Sequence, residues 1–219
     1  MKSKILAITI LLSLITISCN KSIEKNHLKG DIKIGNQFWM SKNLNVTKFN
    51  NGDLIKEAKT NEEWISALKS NTPAWCYIEN DSISGKKYGV LYNWFAINDK
   101  RGIAPLGFHI PSKKEWNDLI TYSGGNDIAG EKLKSKQGWD EDGNGTDVYG
   151  FCGLPGGFRD ELGDFNNKRS LGMFWTTTEY KDNNHWYFIS LDWGTNDCDF
   201  EIGDKGYGFS VRCIKDDIK

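Results

Sequence analysis

The sequence has no pair of cysteines in a CxxC spacing, and its three histidines lie far apart along the chain. Zinc sites need cysteine and histidine ligands at short, regular spacing, so no zinc site is expected. The sequence also lacks a stripe of lysine and arginine interleaved with aromatic residues, and its formal net charge is only −1. Nucleic acid is therefore not expected as a partner. No constellation of catalytic residues stands out.

A long apolar run is missing as well. The most apolar stretch, Ile5 to Ile17, contains thirteen residues. That length makes about 20 Å of helix, which is short of the hydrocarbon core of about 30 Å. Because Lys2 and Lys4 precede it, the stretch is typical of a signal peptide rather than of a membrane-spanning helix.

The residues after this stretch resemble the lipobox of bacterial lipoproteins. Ser18 precedes Cys19 as in a lipobox, although Thr16 stands where leucine is usual. We therefore expect residues 1–18 to be a lipoprotein signal peptide, Cys19 to carry lipid and residues 19–30 to form a polar, flexible tether. The expected location is the cell envelope, on the periplasmic or the outer-surface side of a bacterial membrane. Ordinary cleavage nearby, which would leave Cys19 free or remove it, is the alternative.

Four further cysteines are candidates for disulfides: Cys76, Cys152, Cys198 and Cys213. An exported protein lies in an oxidising compartment, so we expect one or two disulfides among them. Four cysteines allow three connectivities, and their spacing does not choose among these. A nucleophilic or copper-binding cysteine is the alternative interpretation.

Two short amphipathic helices are predicted by capping boxes. Thr60–Glu63 and Ser112–Glu115 each place a hydroxyl residue three positions before a glutamate, and apolar residues follow at helical spacing. The segment Leu91–Ile97 is ambiguous between helix and strand. After Gly143 the helical pattern disappears, and alternating aromatic and β-branched residues predict strands. The predicted strands are a hairpin over Ile32–Met40 around a Gly-Asn turn, Phe174–Thr178, Trp186–Leu191 and a closing strand over Gly206–Cys213.

An Asp- and Asn-rich segment is the first candidate site. Asp140, Asp142 and Asn144 alternate, and with Thr146 they supply oxygen atoms at the spacing of a calcium loop, in which Gly145 would make the sharp bend. The bidentate glutamate that closes such a loop is absent from its expected position. The alternative is a solvated turn whose Asx side chains cap their own backbone. Calcium is the cofactor that this segment suggests.

The second candidate site is a group of aromatic, acidic and amide side chains in one loop: Trp193, Asp192, Asn196 and Asp197. An aromatic face packs on the apolar face of a sugar, while carboxylates and amides bond its hydroxyl groups. Trp175 and Trp186 lie in alternating strand segments and are instead expected in the core.

Two charged residues are expected to be structural. His109 follows a Gly-Phe turn, and we interpret it as a hydrogen-bonded structural histidine rather than as a catalytic base. Arg159, in the segment GGFRD, is expected to pair with a carboxylate in a buried or half-buried position, because its planar fork suits that role.

Six motifs in a fixed order carry a resemblance to a known family: GNQFWMSKNLNV, YGVLYNWFA, GFHIPSKKEW, NGTDVYGFCGLPGGFRD, FWTTTEY and GFSVRC. Together they resemble the Fibrobacter succinogenes major paralogous domain, found in exported proteins and lipoproteins of Bacteroidetes-like bacteria. The resemblance covers about residues 31–215, which we expect to be a single domain. It implies an α+β, C-type-lectin-like fold, the broad fold of formylglycine-generating enzymes. In that fold two helices flank small twisted antiparallel sheets, and the C-terminal half is rich in loops.

One departure from the family pattern bears on the cysteines. Related sequences often carry a cysteine just before the GFHIP-like motif, where this chain has Ala104-Pro105-Leu106. If that cysteine pairs with the equivalent of Cys213 in the family, the resemblance implies that Cys213 pairs here with Cys152 or Cys198.

Two classes of function remain. The first is a non-enzymatic, lipid-anchored module of the cell envelope that binds a glycan or a cell-surface protein through its loop region, around Leu191–Glu201. The second is an enzyme of the sulfatase-modifying type that would use the thiols of Cys198 and Cys213. We favour the first class, because the surroundings of these two cysteines do not reproduce the pattern expected for the enzyme. A purely structural surface protein cannot be separated from the first class by sequence.

Overall fold

The computed structural model describes residues 31–182 and 184–217, so the expected signal peptide, Cys19 and tether lie outside it. The described residues form an α+β fold, as predicted, with five α-helices and four small sheets. None of these helices has the length and apolar character needed to cross a membrane.

The helices are α1 (Asn61–Lys69), α2 (Ser82–Tyr88), α3 (Trp94–Ile97), α4 (Lys113–Tyr122) and α5 (Asn126–Leu133), with one 3₁₀ turn at Ile78–Asn80. The strands are β1 (Asp31–Ile34), β2 (Gln37–Met40), β3 (Lys56–Glu57), β4 (Ala74–Cys76), β5 (Leu91–Tyr92), β6 (Phe108–His109), β7 (Phe158–Arg159), β8 (Phe165–Asn166), β9 (Leu171–Glu179), β10 (Trp186–Asp192), β11 (Cys198–Gly203) and β12 (Ile214–Lys215).

Both predicted capping boxes are confirmed, at the start of α1 and of α4. In α4 the Ser112 hydroxyl accepts from the Glu115 backbone N–H at 3.3 Å, and the Glu115 carboxylate accepts from the Ser112 backbone N–H at 2.8 Å. The ambiguous segment Leu91–Ile97 divides into β5 and α3, because Asn93 between them caps α3 by accepting from Ala96 N–H at 3.0 Å. Two further helices, α2 and α5, were not predicted.

Two of the sheets organise the domain. In the order β1-β2-β12-β6, the first strands of the domain pair beside its last strand. The predicted hairpin is confirmed, with Ile34 opposite Gln37 and Gly35 at a φ of 60° in the turn. The antiparallel sheet β11-β10-β9 contains the predicted strand segments of the C-terminal half. The sheet β3-β4-β5 departs from the antiparallel expectation, since β3 and β4 are parallel.

The segment Gly206–Cys213 is not the single closing strand that its pattern predicts. Its backbone bonds a different element at nearly every step: Gly208 bonds Arg159 of β7, Phe209 bonds Tyr92 of β5 and Ser210 bonds Met173 of β9. A strand needs one continuous partner, whereas this segment threads between three sheets and joins them. Only Ile214 and Lys215 pair as a regular strand.

Buried side chains form three clusters. The central core surrounds Trp94, Trp175, Trp186 and Phe209, and it confirms the expectation that Trp175 and Trp186 are core residues. The α4 core surrounds Trp39, Trp116, Phe151 and Phe174. The α1 core surrounds Trp64, Ala67, Cys76 and Ile78.

Two arginines are fully buried where these clusters meet the loops. The Arg159 guanidinium donates to the carbonyl oxygens of Gly163 at 2.8 Å and Ala58 at 2.7 Å, and it lies 4.8 Å from the ring centroids of Trp64 and Phe165. The expectation of a carboxylate partner is wrong: the described residues contain no ion pair to Arg159. Carbonyl oxygens, which the loop supplies in excess, take the place of the carboxylate.

Arg212 has the same role at the other end of the Gly206–Cys213 segment. Its guanidinium donates to the Asn43 side-chain oxygen at 2.6 and 3.1 Å and to the carbonyl oxygens of Met40, Phe151 and Cys152. It therefore ties β2 to the loop that follows Gly150. Burial lowers the pKa of Arg212 to about 10, against the opposing effect of nearby acidic groups.

The disulfide prediction is wrong, because the structure holds Cys76, Cys152, Cys198 and Cys213 as free thiols. Cys213 packs in the central core, Cys198 in the α4 core and Cys76 in the α1 core. Each of these three cysteines thus packs with the apolar residues of a different core and not with another cysteine. Cys152 is half-buried in a loop and also unpaired, so the implied pairing of Cys213 with Cys152 or Cys198 is not formed.

His109 joins the C-terminal end of the domain to α4. Its Nδ1 lies 2.7 Å from a carboxylate oxygen of Asp216, just after β12, and its Nε2 lies 2.7 Å from a carboxylate oxygen of Glu115 in α4. Burial of the ring disfavours its charge, but the two hydrogen bonds and their charges outweigh burial and raise the pKa of His109 above 6.5. Both ring nitrogens are thus occupied, as expected for a structural histidine.

We expect Arg212→Met to lower the free energy of unfolding by at least about 3 kcal/mol, because each buried acceptor left unsatisfied costs roughly 1–3 kcal/mol. The matched control is Arg169→Met, whose exposed pair with Asp140 should contribute little to stability. Urea unfolding at neutral pH measures both. Equal, small losses for the two variants would show that Arg212 does not hold the loops.

The raised pKa of His109 predicts a pH dependence. A group whose folded-state pKa is raised stabilises the fold fully below its unfolded value, and the contribution is lost as the pH rises through the folded-state pKa. In a His185→Gln background, the stability should therefore fall as the pH rises above about 6.5. His109→Gln should remove this fall, and Asp216→Asn should reduce it. A fall that persists unchanged in His109→Gln would assign the pH dependence to another group.

Candidate functional site

The two polar stretches that the sequence separates by about fifty residues meet at one pocket. The loop over residues 139–147 lies against the turn over residues 192–197 that joins β10 to β11, and together they enclose a pocket of about 270 Å³. We call it the Trp193 pocket; its lining residues are Lys134, Glu141, Asp142, Gly143, Trp193, Gly194, Thr195 and Asn196. The calcium and glycan hypotheses therefore concern the same place.

Close backbone contacts through glycine hold the parts of this pocket together. A Cβ atom on Gly143 would lie 2.6 Å from the Trp193 carbonyl oxygen, and one on Gly130 of α5 would lie 2.0 Å from the Asp197 carbonyl oxygen. Real Cβ atoms are not found at such distances, so only glycine allows these approaches. The Glu131 N–H also donates to the Asn196 carbonyl oxygen at 3.2 Å. The helix, the loop and the turn are thus packed backbone against backbone.

A buried lysine, Lys134, holds the turn of residues 192–197 in place. Lys134 is 2% exposed, and its ammonium group donates to the carbonyl oxygens of Asp192 at 2.8 Å and Thr195 at 2.6 Å. It also lies 5.3 Å from the ring centroid of Trp139. Burial lowers the pKa of Lys134, against the charges of nearby acidic residues. The pocket wall therefore contains a buried positive charge next to two exposed acidic residues, Glu141 and Asp142.

The predicted ligand-binding residues divide into two roles. Trp193 and Asn196 line the pocket and are exposed, Trp193 by 36%. Asp192 instead shapes the turn, since its carboxylate accepts from the Gly194 backbone N–H at 2.7 Å. Asp197 is half-buried, and its backbone N–H donates to the Thr195 hydroxyl at 3.3 Å. Neither Asp192 nor Asp197 lines the pocket.

Three of the four predicted calcium ligands form hydrogen bonds with other residues of the protein. The Asp140 carboxylate accepts from Arg169 at 2.7 Å and from the Ser170 hydroxyl at 3.0 Å, and these bonds lower its pKa. The Asn144 oxygen accepts from Trp139 N–H, and the Thr146 hydroxyl donates to the carbonyl of Glu131. Of the four predicted ligands, Asp142 is the one that lines the pocket. The described residues contain no group of three His, Cys, Asp or Glu side chains that could hold a metal ion, so the geometry does not support the calcium prediction.

Sequence reasoning missed Lys134 and Glu141 as pocket residues. Lys134 lies in the segment GEKLKSKQG, where nothing distinguishes it from the solvated lysines on either side. Its burial results from the turn of residues 192–197 folding over α5, a contact between distant parts of the chain. Glu141 belongs to the same acidic run as Asp140 and Asp142, but the alternating spacing of the predicted calcium ligands did not include it.

The thiols have the opposite of the properties that a catalytic cysteine needs. Burial raises the pKa of Cys76 to about 12 and that of Cys213 to about 12, and it raises the pKa of Cys198 further still. The pKa of half-buried Cys152 is also raised, by burial and by Asp147. A nucleophilic cysteine is accessible and has a lowered pKa, so none of the four is activated.

Comparison with known proteins gives one family. No curated protein and no solved structure matches the chain, so the C-type-lectin-like fold stays a prediction. The family profile of the Fibrobacter succinogenes major domain matches residues 32–215, from the second residue of β1 to the last residue of β12. The Trp193 pocket and both buried arginines lie within the matched residues. The chain therefore belongs to the Fibrobacter succinogenes major domain family.

Proposed function

We propose that this protein is a non-enzymatic binding module that recognises a glycan at the Trp193 pocket. The observation that supports the proposal best is the meeting of two sequence-distant polar segments around one partly exposed indole. An isolated exposed tryptophan on a surface needs no explanation. Here the indole lies beside carboxylate and amide side chains in a concave site.

The chemistry of the lining suits a polyhydroxylated ligand. The Trp193 ring offers an apolar face to sugar C–H groups. Glu141 and Asp142 offer carboxylate oxygens that accept from hydroxyl groups, and the Asn196 amide can both donate and accept. None of the hydrogen bonds among the described residues uses the side chain of Asn196, Glu141 or Asp142, so these polar groups are available to a ligand.

The pocket is also preorganised. Lys134 fixes the turn through two carbonyl bonds, and Gly130 and Gly143 allow the helix and the loop to pack directly against it. A preformed site does not need to order itself on binding, so less of the interaction energy is lost. This rigidity favours a binding site over a solvated turn.

The enzymatic alternative, a formylglycine-generating activity through thiols, receives no comparable support. Three of the four described cysteines are buried in separate cores, and burial raises the pKa of each. A protein ligand in place of a glycan remains an outcome of the binding test rather than a separate proposal.

The proposal includes an anchor in the cell envelope. We propose that Cys19 carries lipid in a bacterial membrane and that residues 19–30 act as a tether. The described domain begins directly after this tether, at Asp31. The anchor would keep the binding pocket close to the membrane surface.

We expect Trp193→Ala to weaken glycan binding at least about tenfold, equivalent to roughly 1.4 kcal/mol, while Trp193→Phe retains part of the affinity. A glycan array identifies the ligand, and isothermal titration with that ligand measures the change. The control is Tyr122→Ala, which removes an aromatic ring that is 58% exposed outside the pocket.

Three results would count against the glycan site. Absence of binding across the array would remove the proposed ligand class. A loss of affinity in Tyr122→Ala equal to that in Trp193→Ala would place the ligand elsewhere. Binding to an envelope protein that depends on Trp193, with no glycan bound, would replace the glycan by a protein ligand.

Cysteine mapping tests the anchor and the enzymatic alternative in one experiment. In protein extracted from bacterial membranes, mass spectrometry should find lipid on Cys19 and native alkylation of Cys152 at most. Cys76, Cys198 and Cys213 should react only after unfolding. At pH 8 a thiol with a pKa of about 12 is thiolate in roughly one molecule in ten thousand.

Either part of this prediction can fail independently. An unmodified Cys19, or a mature chain that begins elsewhere, would contradict the lipid anchor. Rapid alkylation of Cys198 and Cys213 in the folded protein would restore the thiol enzyme as the better hypothesis.

A further inference from the structure

A second pocket lies at α3 and shares no residue with the Trp193 pocket. It has a volume of about 410 Å³, and its walls include Asn71, Trp94, Phe95, Asn98, Lys100 and Lys205. We call it the Trp94 pocket. A volume of this size is in the range that holds small organic ligands, about 300–1,000 Å³.

An unused indole N–H is the first sign of a ligand. Trp94 is only 4% exposed, and its ring stacks on Trp186 with centroids 4.4 Å apart. Some tryptophans of the cores donate to carbonyl oxygens, as Trp64 does to Gly206 and Trp175 to Tyr92, whereas Trp116 and Trp186 have no such partner among the described residues. Among the described residues the Trp94 N–H has no such partner.

The Trp94 side chain forms part of the pocket wall. Its Nε1 is not one of the buried, unpartnered side-chain atoms of the described residues, which are the Trp116 Nε1 and the Ser123 hydroxyl. A ligand bound in the pocket therefore lies against the Trp94 indole.

The charges around this donor are predominantly positive. The Lys205 ammonium group lies 4.7 Å from the Trp186 ring centroid, and Lys100 is exposed. Neither has a carboxylate partner among the described residues. The carboxylate in the lining, Asp99, is held by two hydrogen bonds from Arg101, at 2.9 and 2.8 Å, and these lower its pKa.

The backbone around the pocket is tied together without a ligand. The Trp94 N–H donates to the Lys205 carbonyl oxygen at 3.2 Å, which joins α3 to the segment after β11. The Asn98 N–H donates to the Trp94 carbonyl oxygen at 3.0 Å, which ends α3. The backbone that carries Trp94 and Lys205 is therefore held in place before any ligand arrives.

We propose that the Trp94 pocket binds an acidic sugar, that is, a polyhydroxylated ring that carries a carboxylate or sulfate group. Indole and ammonium groups can only donate hydrogen bonds, so they require a ligand with strong acceptors, and an anion supplies these best. The amides of Asn71 and Asn98 both donate and accept, which matches hydroxyl groups. The half-buried ring of Phe95 adds an apolar surface for the sugar frame.

The test follows the Trp94 indole signal by NMR in ¹⁵N-labelled full-length protein. The signal is assigned by its loss in Trp94→Phe. Glucuronate and glucose 6-sulfate should each shift it in a saturable way, and glucose should not. Binding should weaken as salt is raised from about 50 to about 500 mM, because the charges are partly exposed.

Variants locate the site by isothermal titration with glucuronate. Lys100→Gln and Lys205→Gln should each lower the affinity several-fold, and Trp94→Phe about tenfold, because each removes a group that donates to a charged acceptor. Lys86→Gln, an exposed lysine of α2 without an ion-pair partner among the described residues, should leave the affinity unchanged. Lys100 is on the surface, so its variant tests the site even if Trp94→Phe does not fold.

Several outcomes would overturn the proposal. Equal shifts with glucose and glucuronate would remove the requirement for an anion. If inorganic sulfate bound with the same affinity as glucose 6-sulfate, the sugar ring would have no part in recognition. An unshifted Trp94 signal, or an equal loss of affinity in Lys86→Gln and Lys100→Gln, would place the ligand outside the pocket.

Discussion

Two buried guanidinium groups satisfy the carbonyl oxygens of a fold that has few long strands. Short strands leave many loop carbonyls without a ladder partner, and a buried carbonyl without a donor is costly. Arg159 reaches two such oxygens and Arg212 reaches three, each from one planar fork. Arg212 lies in the segment Gly206–Cys213, which bonds β5, β7 and β9 in turn, and Arg159 is the residue of β7 that this segment bonds. The segment and the two arginines therefore join three of the small sheets.

The candidate binding site depends directly on how these elements pack together. The Trp193 pocket is formed where the turn after β10 folds over α5, and the contact is close enough that Gly130 and Gly143 cannot carry side chains. This contact buries Lys134, whose ammonium group holds the turn by donating to two of its carbonyl oxygens. The same principle recurs in both places: a buried cation organises loop carbonyls, and the ordered loop then presents its polar side chains outward.

The two pockets differ in the chemistry that they offer. The Trp193 pocket presents exposed carboxylates beside an indole ring, whereas the Trp94 pocket presents an indole ring and two unpaired lysines. Carboxylate acceptors suit the hydroxyl groups of a neutral sugar, and a set of donors suits an anionic one. The thiols take part in neither pocket, because each buried cysteine packs in a core as a small apolar residue. Both proposals therefore describe recognition rather than chemistry on a substrate.

The sequence by itself determined the features that depend on near neighbours. Capping boxes at Thr60 and Ser112 and the Gly-Asn hairpin follow from local hydrogen bonding and periodicity, and the family resemblance implied the α+β class; all are confirmed. Tertiary structure decided what depends on distant contacts. The residues of Gly206–Cys213 alternate as in a strand, but their hydrogen-bond partners lie on three sheets. The carbonyl oxygens that bond Arg159 belong to residues that no sequence pattern connects with it. Likewise, only folding joined the Asp-rich loop to the Trp193 turn and buried Lys134 between them. A side chain's neighbours along the chain set its local conformation, whereas its burial and partners are set by which distant segments pack against it.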